Sequence, residues 1–264
     1  MQISLKNKIA LVTSATAGIG FAIARGLAES GATVVITGRQ QDKVDQAVNQ
    51  LKVEVADAQV TGLALNAATA EGCQQMIQKL PQVDILINNL GIYGTCEFTE
   101  ITDEQWFDFF ETNVMSGVRL SRHYMKGMTA KGWGRIQFIS SESAFNIPAD
   151  MVHYGMTKSA IQGVSRGLAK ALAGTGVTVN TVLPGPTRTE GAVIMIDNIA
   201  KQQGISLAEA ETYFIEQHRN SSIIRRFAEP HEIANMVVYI ASEQASATTG
   251  AALRVEGGIV DSIH

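Results

Sequence analysis

The feature that most constrains this chain is an alternation. Short runs dense in Val and Ile, at residues 9–13, 33–37, 60–65, 83–87, 135–140, 177–183 and 251–255, take turns with helical patterns at 19–30, 42–55, 70–79, 103–130, 152–173 and 230–242. Several runs are continuously apolar, which is how strands covered on both faces read. A strand–helix–strand order requires parallel pairing with right-handed crossovers. The predicted fold is therefore α/β: a doubly wound parallel sheet of about seven strands with helices on both faces. Residues 1–264 are expected to form one such domain. Apolar residues make up 45% of the chain and charged residues 17%, which is ample for a large core. One segment, 190–222, breaks the rhythm before the last helix. It holds an apolar patch from Ala192 to Ile196 and a helical stretch at 207–218, opened by a Ser206…Glu209 capping box. An insertion of this length is expected to serve as a substrate lid.

Charge and composition exclude several classes. The net charge is −4 and the pI about 5.8, which argues against a nucleic-acid partner. No apolar run is long enough to span a bilayer, and no signal-length apolar stretch opens the chain. Cys73 and Cys96 cannot build a disulfide framework, and the five histidines show no metal spacing. The expectation is a cytoplasmic protein without a metal or a membrane.

The first strand runs into Thr13-Ser14-Ala15-Thr16-Ala17-Gly18-Ile19-Gly20, and a helix follows at once. Small residues let the backbone approach a phosphate, and the helix N-terminus aims its N–H groups there. Ser14, Thr16, Gly18, Ile19 and Gly20 are thus candidate cofactor-binding residues. A plain tight turn needing glycine for positive φ is the bland alternative. In nicotinamide-binding folds, an acid at the end of the second strand suits NAD and a cation suits NADP. Here the strand ends Thr37-Gly38-Arg39, so Arg39 favours the 2′-phosphate of NADP(H). NAD(H) is the alternative, with Arg39 only stacking on adenine.

Tyr154 and Lys158 lie four residues apart, on one helix face. A cation beside a phenol favours the phenolate, which makes Tyr154 a candidate general acid/base with its pKa brought toward neutral. Ser140-Ser141 closes the fifth strand, at the edge where ligands sit in such sheets.

At this point the sequence resembles the classical short-chain dehydrogenase/reductases, over nearly its whole length. The resemblance rests on Thr13 through Gly20, Asn88-Asn89-Leu90-Gly91, Thr112-Asn113-Val114, Ser141 thirteen residues before Tyr154, the Tyr154–Lys158 pair, Pro184-Gly185-Pro186-Thr187-Arg188-Thr189 and Glu256-Gly257-Gly258. It implies a hydride-transferring oxidoreductase acting on a carbonyl or secondary alcohol. In that scheme Ser141 polarises the carbonyl, Tyr154 passes the proton, and Lys158 binds the nicotinamide ribose and lowers the Tyr154 pKa. Asn113 would hold a water of a proton relay. Asn66 would lie near adenine, with Asn89, Leu90, Gly91, Pro184, Gly185, Thr187 and Thr189 also in the cofactor site. The resemblance further implies a homotetramer or homodimer built on the helices at 103–130 and 152–173. Members of that family include 3-oxoacyl carrier-protein reductases.

Three residues depart from the family pattern. Ser14 replaces the first glycine of the turn, at a cost if that position needs positive φ. Leu90 replaces a small alanine and either narrows the adenosine side or packs under it. Glu142, after the catalytic serine, is expected to point away from Ser141's side on a strand-like backbone and to form a structural salt bridge. Tyr93, Ser143, Ala144, Phe145, Met151, Val193 and Met195 are the candidate substrate residues. They are mostly apolar, with no evident Arg or Lys clamp, which implies a neutral substrate with an apolar body. A carrier-bound acyl substrate would need the local basic patch of Arg119, Arg122, Lys126 and Lys131. Cys96 and His153 are further pocket candidates, His153 more readily as a structural residue. Two rivals remain: a cofactor-binding sensor or scaffold without turnover, and a hydrolase using Ser165 in Gly163-Val-Ser165-Arg-Gly167. The latter motif needs a strand-to-helix turn but falls inside a helical stretch.

Overall fold

The computed structural model describes residues 2–263. Seven strands form one parallel sheet: β1 (Ile9–Val12), β2 (Thr33–Gly38), β3 (Val60–Ala64), β4 (Ile85–Asn88), β5 (Gly134–Ile139), β6 (Val177–Pro184) and β7 (Ala252–Val255). Their order is β3-β2-β1-β4-β5-β6-β7, every pairing being parallel. The chain winds outward from β1 in one direction and then, from β4, in the other. That reversal opens a crevice between the carboxyl ends of β1 and β4.

The helices are α1 (Gly18–Glu29), α2 (Gln41–Glu54), α3 (Ala70–Lys79), α4 (Asp103–Phe110), α5 (Ser116–Lys131), α6 (Val152–Ala171), α7 (Glu190–Gln203), α8 (Leu207–His218) and α9 (Pro230–Ala241). Two large cores lie on opposite faces of the sheet. Ala10, Val12, Ile85 and Ile87 pack with Ile23 and Leu27 of α1 and Ile233 and Val237 of α9. The intervening Leu11 and Leu86 pack with Leu120 and Tyr124 of α5 and Ile161 of α6. Because both faces are covered, both sets of alternating side chains must be apolar, and the runs read as continuous.

Two expectations about elements are corrected. The stretch 103–130 is not one helix, because a π-helical turn at Glu111–Met115 separates α4 from α5. The patch at 192–196 lies within a full helix, α7, capped by Thr189, whose Oγ1 accepts the Ala192 N–H, and stopped by Gly204 in the left-handed region. Its exposed Val193 and Ile194 obscure the helical period. α7 and α8 close over a small cluster of Ile196, Ala200, Ala210 and Phe227. The Arg188 guanidinium ties them down, donating to both oxygens of Glu211 at 2.7 and 2.9 Å and to Glu229 at 2.9 Å.

Candidate active site

The turn after β1 is shaped by backbone conformation and by close packing. Ser14 has φ +53° and Gly18 φ +58°. The first is the costly choice for a residue with a Cβ, of order 1–2 kcal/mol. A Cβ on Gly20 would stand 2.5 Å from both Asn89 Nδ2 and the Ser14 carbonyl, so only glycine fits. Asn89 holds the turn from β4: its Nδ2 donates to the carbonyls of Thr13 (3.0 Å) and Ser14 (2.9 Å). In return, Thr13 Oγ1 accepts the Asn89 and Leu90 amides.

Beside this turn lies a cavity of about 840 Å³ at the carboxyl edge of the sheet. Its wall includes Ile19, Asn89, Gly91, Pro184, Gly185, Thr187 and Thr189 together with Ser141, Tyr154 and Lys158. Gly18 and Thr189 also line an adjoining groove along α1. Ser14, Thr16, Arg39, Asn66 and Leu90 are not on the cavity wall. Leu90 packs against the core under α5 and α6. Arg39 is exposed at the end of β2, and Asn66 uses its Oδ1 on the Ala68 amide.

The candidate catalytic side chains are placed by β5 and α6. Ser140 and Ser141 have distinct roles: the Ser140 hydroxyl is buried and donates to the Lys158 carbonyl at 2.9 Å. Ser141 is near enough to the Tyr154 phenol to lower its pKa, and its Oγ accepts the Ser143 amide at 3.1 Å. Lys158 Nζ is buried and donates to the Ile139 carbonyl at 2.9 Å. It lies 5.6 Å from the centre of the Tyr154 ring. Asn113, on the π-turn, uses its amide on neighbouring groups. Its Oδ1 accepts the Ile92 N–H (2.7 Å), and its Nδ2 donates to the Ile92 carbonyl (3.0 Å) and Thr157 Oγ1 (2.9 Å).

The electrostatics differ from the expectation that Lys158 brings the phenol toward neutral. Burial dominates at Tyr154 and pushes its pKa up to about 12, against the lowering by its Ser141 hydrogen bond. Burial also brings Lys158 down to about 8. Tyr154 is therefore a protonated phenol, the proton-donor form.

Of the candidate substrate residues, Tyr93, Ser143, Met151 and Met195 are on the wall. Ala144 is buried and Phe145 faces solvent, while Val193 turns toward other grooves. Neither Cys96 nor His153 reaches the cavity. The wall is also more polar than expected, because Glu142 and Arg219 belong to it. Arg219 Nε donates to Glu142 Oε1 at 2.8 Å. A 3₁₀ turn, not a strand, begins at Glu142, so the alternation that would turn its side chain away does not apply. The salt bridge itself is present, with a partner 77 residues on. Arg219 carries no motif, and its place on the wall could be read only by knowing how α8 docks.

Residues 8–198 match the family model of the short chain dehydrogenases. The chain belongs to the short-chain dehydrogenase family. It is 46% identical, over the whole of both chains, to the uncharacterized oxidoreductase YvaG of Bacillus subtilis. It is 30% identical to the 3-oxoacyl-[acyl-carrier-protein] reductase FabG of Aquifex aeolicus, covering 98% of this chain and 100% of that one. Among solved structures, the L-sorbose reductase of Gluconobacter frateurii, complexed with NADPH and L-sorbose, superposes with a TM-score of 0.93 at 31% identity over the whole of both chains.

In this short-chain dehydrogenase the remaining candidates have structural explanations. Ser165 is buried in the middle of α6 with no hydrogen-bond partner among the described residues, so none of them activates it as a nucleophile. His153 packs against Phe109 and Trp106, with ring centroids 4.1 and 6.0 Å apart. In the basic patch, Arg119 pairs with Glu111 and Lys131 with Asp84. Among the described residues no helix is long and apolar enough to cross a membrane, and no cluster of metal-ligating side chains forms.

Proposed function

We propose that this oxidoreductase prefers NADP(H) and interconverts a ketone and its secondary alcohol. The observation that carries the reading is the meeting of Ser141, Tyr154 and Lys158 on one cavity wall beside the glycine turn. The turn suits a dinucleotide: Gly18 and Gly20 keep its backbone free of side chains, and a Cβ on Gly91 would crowd Lys158 Nζ at 3.2 Å. A nicotinamide bound there would supply or take up the hydride.

The chain's own groups handle the proton and the orientation. Ser141 donates to the substrate oxygen and so polarises it. Tyr154, as the neutral phenol, gives that oxygen its proton in reduction and recovers it in oxidation. Lys158 would set the charge beside the nicotinamide ribose, and Asn113 anchors the Ile92 peptide, which lines the same cavity. Thr187 and Thr189, with Pro184 and Gly185, would hold the carboxamide of that nicotinamide. The pair α7–α8 acts as the lid of a single domain. Phe107 and Phe110, exposed at α4, suit a homodimer or homotetramer in the cytoplasm.

Arg39 supports the NADP preference. It is exposed, has no ion-pair partner among the described residues, and stands where an acid would select NAD. Similarity to an NADPH-bound reductase supports it as well. A carrier-protein substrate is less favoured, since two of the four charges of the basic patch are already paired. Nothing in the site favours a sensor without turnover, because Asn113, Ser141, Tyr154 and Lys158 are all present.

Fluorescence titration with NADPH and NADH at fixed salt tests this. NADPH should bind at least about tenfold more tightly, and Arg39→Ala should remove that margin without weakening NADH. Equal affinities in the native protein would overturn the NADP preference. Binding without any turnover of ketones or alcohols would overturn the enzymatic reading.

A further inference from the structure

The Glu142–Arg219 pair is closed on one side only. Nε of Arg219 donates to Glu142 Oε1, and Nη1 donates to the His218 carbonyl at 2.7 Å. Ser143 Oγ also donates to Oε1, at 3.1 Å. Glu142 Oε2 is buried without any partner, and Arg219 Nη2 has no protein partner among the described residues. An arginine and a carboxylate normally meet in two parallel bonds. Here the second bond is missing: Nη2 is an unspent donor on a residue of the cavity wall, while Oε2 is buried. The pair is close enough to the reacting centre for both charges to act on the Tyr154 phenol, Glu142 raising and Arg219 lowering its pKa.

We propose that this half-open pair recognises a substrate hydroxyl near the reacting carbonyl, so that the enzyme acts on neutral hydroxylated ketones. The inference rests on the ketone–alcohol reading above. A hydroxyl is a neutral group that can accept from Nη2. An alkyl group in its place would leave that donor unsatisfied. A carboxylate would meet a cation already neutralised by Glu142, with the Asp150 side of the same wall adding negative charge. Glu142 acts as the positioning residue, fixing the guanidinium plane, and Arg219 as the specificity-determining one.

The test compares substrates of equal size with NADPH. 1-Hydroxy-2-butanone is paired with 3-pentanone, and 4-hydroxy-2-butanone with 2-pentanone, each pair differing by OH for CH₃. For at least one pair, kcat/KM should favour the hydroxyketone at least about tenfold. Arg219→Met should bring that ratio to within about twofold of one, chiefly through KM. The readout is the ratio, so a general loss of rate does not mimic it, and NADPH titration shows that the variant is folded. Equal rates within both pairs in the native enzyme overturn the proposal without any variant. So does a ratio that survives Arg219→Met, or a preference for 2-oxobutanoate over both hydroxyketones. Cofactor binding with no turnover of any of these ketones, by either nicotinamide, would instead defeat the ketone–alcohol reading, and this proposal with it.

Discussion

Replacing Lys158 with methionine should destroy turnover and stabilise the protein. Lys158 is buried, with its Nζ on the Ile139 carbonyl, and burial lowers its pKa from 10.5 to about 8. That drop corresponds to a penalty of about 3 kcal/mol on the charged form in the folded state. Below pH 8 the lysine is protonated both folded and unfolded, so the folded protein carries the full penalty. Between pH 8 and 10.5 the unfolded chain keeps a proton that the folded chain has shed, and the lysine's contribution to stability therefore rises with pH. Methionine is close in length and carries no charge, so it removes the penalty. It also leaves the Ile139 carbonyl without its donor, at about 1 kcal/mol. The net gain at pH 7 is about 2 kcal/mol, which for a chain of this size raises Tm by about 4–8 °C. Denaturant unfolding without cofactor, from pH 6 to 10, reads the gap between the two proteins. The gap should be largest below pH 8 and shrink above it, while ketone reduction falls by at least about a hundredfold. A variant less stable at pH 7, or a gap that ignores pH, would refute the reasoning.

The turn before α1 yields two further tests. Gly20→Ala should force its methyl against Asn89 and the Ser14 carbonyl. The expected outcome is a loss of about 1–3 kcal/mol in unfolding free energy, with NADPH affinity at least about tenfold weaker by fluorescence titration; unchanged affinity would mean that the turn does not carry the cofactor. Ser14→Gly should act in the opposite direction, because it relieves a φ of +53°. A gain of up to about 1 kcal/mol in denaturant unfolding is expected, and a loss would show that the hydroxyl contributes more than the strain costs.

The degree to which this molecule is legible in its sequence follows the range of its interactions. The sheet was readable because burial on both faces makes β5 and β6 apolar without interruption, and each strand declares itself within a few residues. Ser141 is told from Ser140 only by the family resemblance, with its thirteen-residue step to Tyr154; in the structure the Ser140 hydroxyl holds the α6 backbone, while Ser141 is near enough to Tyr154 to lower its pKa. The π-turn was not readable in the local pattern; the partners of its Asn113, the Ile92 peptide and Thr157, lie 21 and 44 residues away. α7 was hidden by its exposed apolar residues, although its Thr189 cap and Gly204 stop were available as signals.

The same distinction separates reaction from substrate. The groups that would move the proton sit on β5 and α6, consecutive elements, so their relative placement is fixed by one strand–helix connection and a four-residue helical step. The groups that would choose the substrate come together only when α8 returns across the crevice and sets Arg219 against Glu142. A change in the length or packing of the 190–222 segment could therefore alter the substrate wall while leaving Ser141, Tyr154 and Lys158 in register. That is why the apolar pocket expected from local sequence differs from the one observed, and why the chemistry of the wall has to be read from the docked helix.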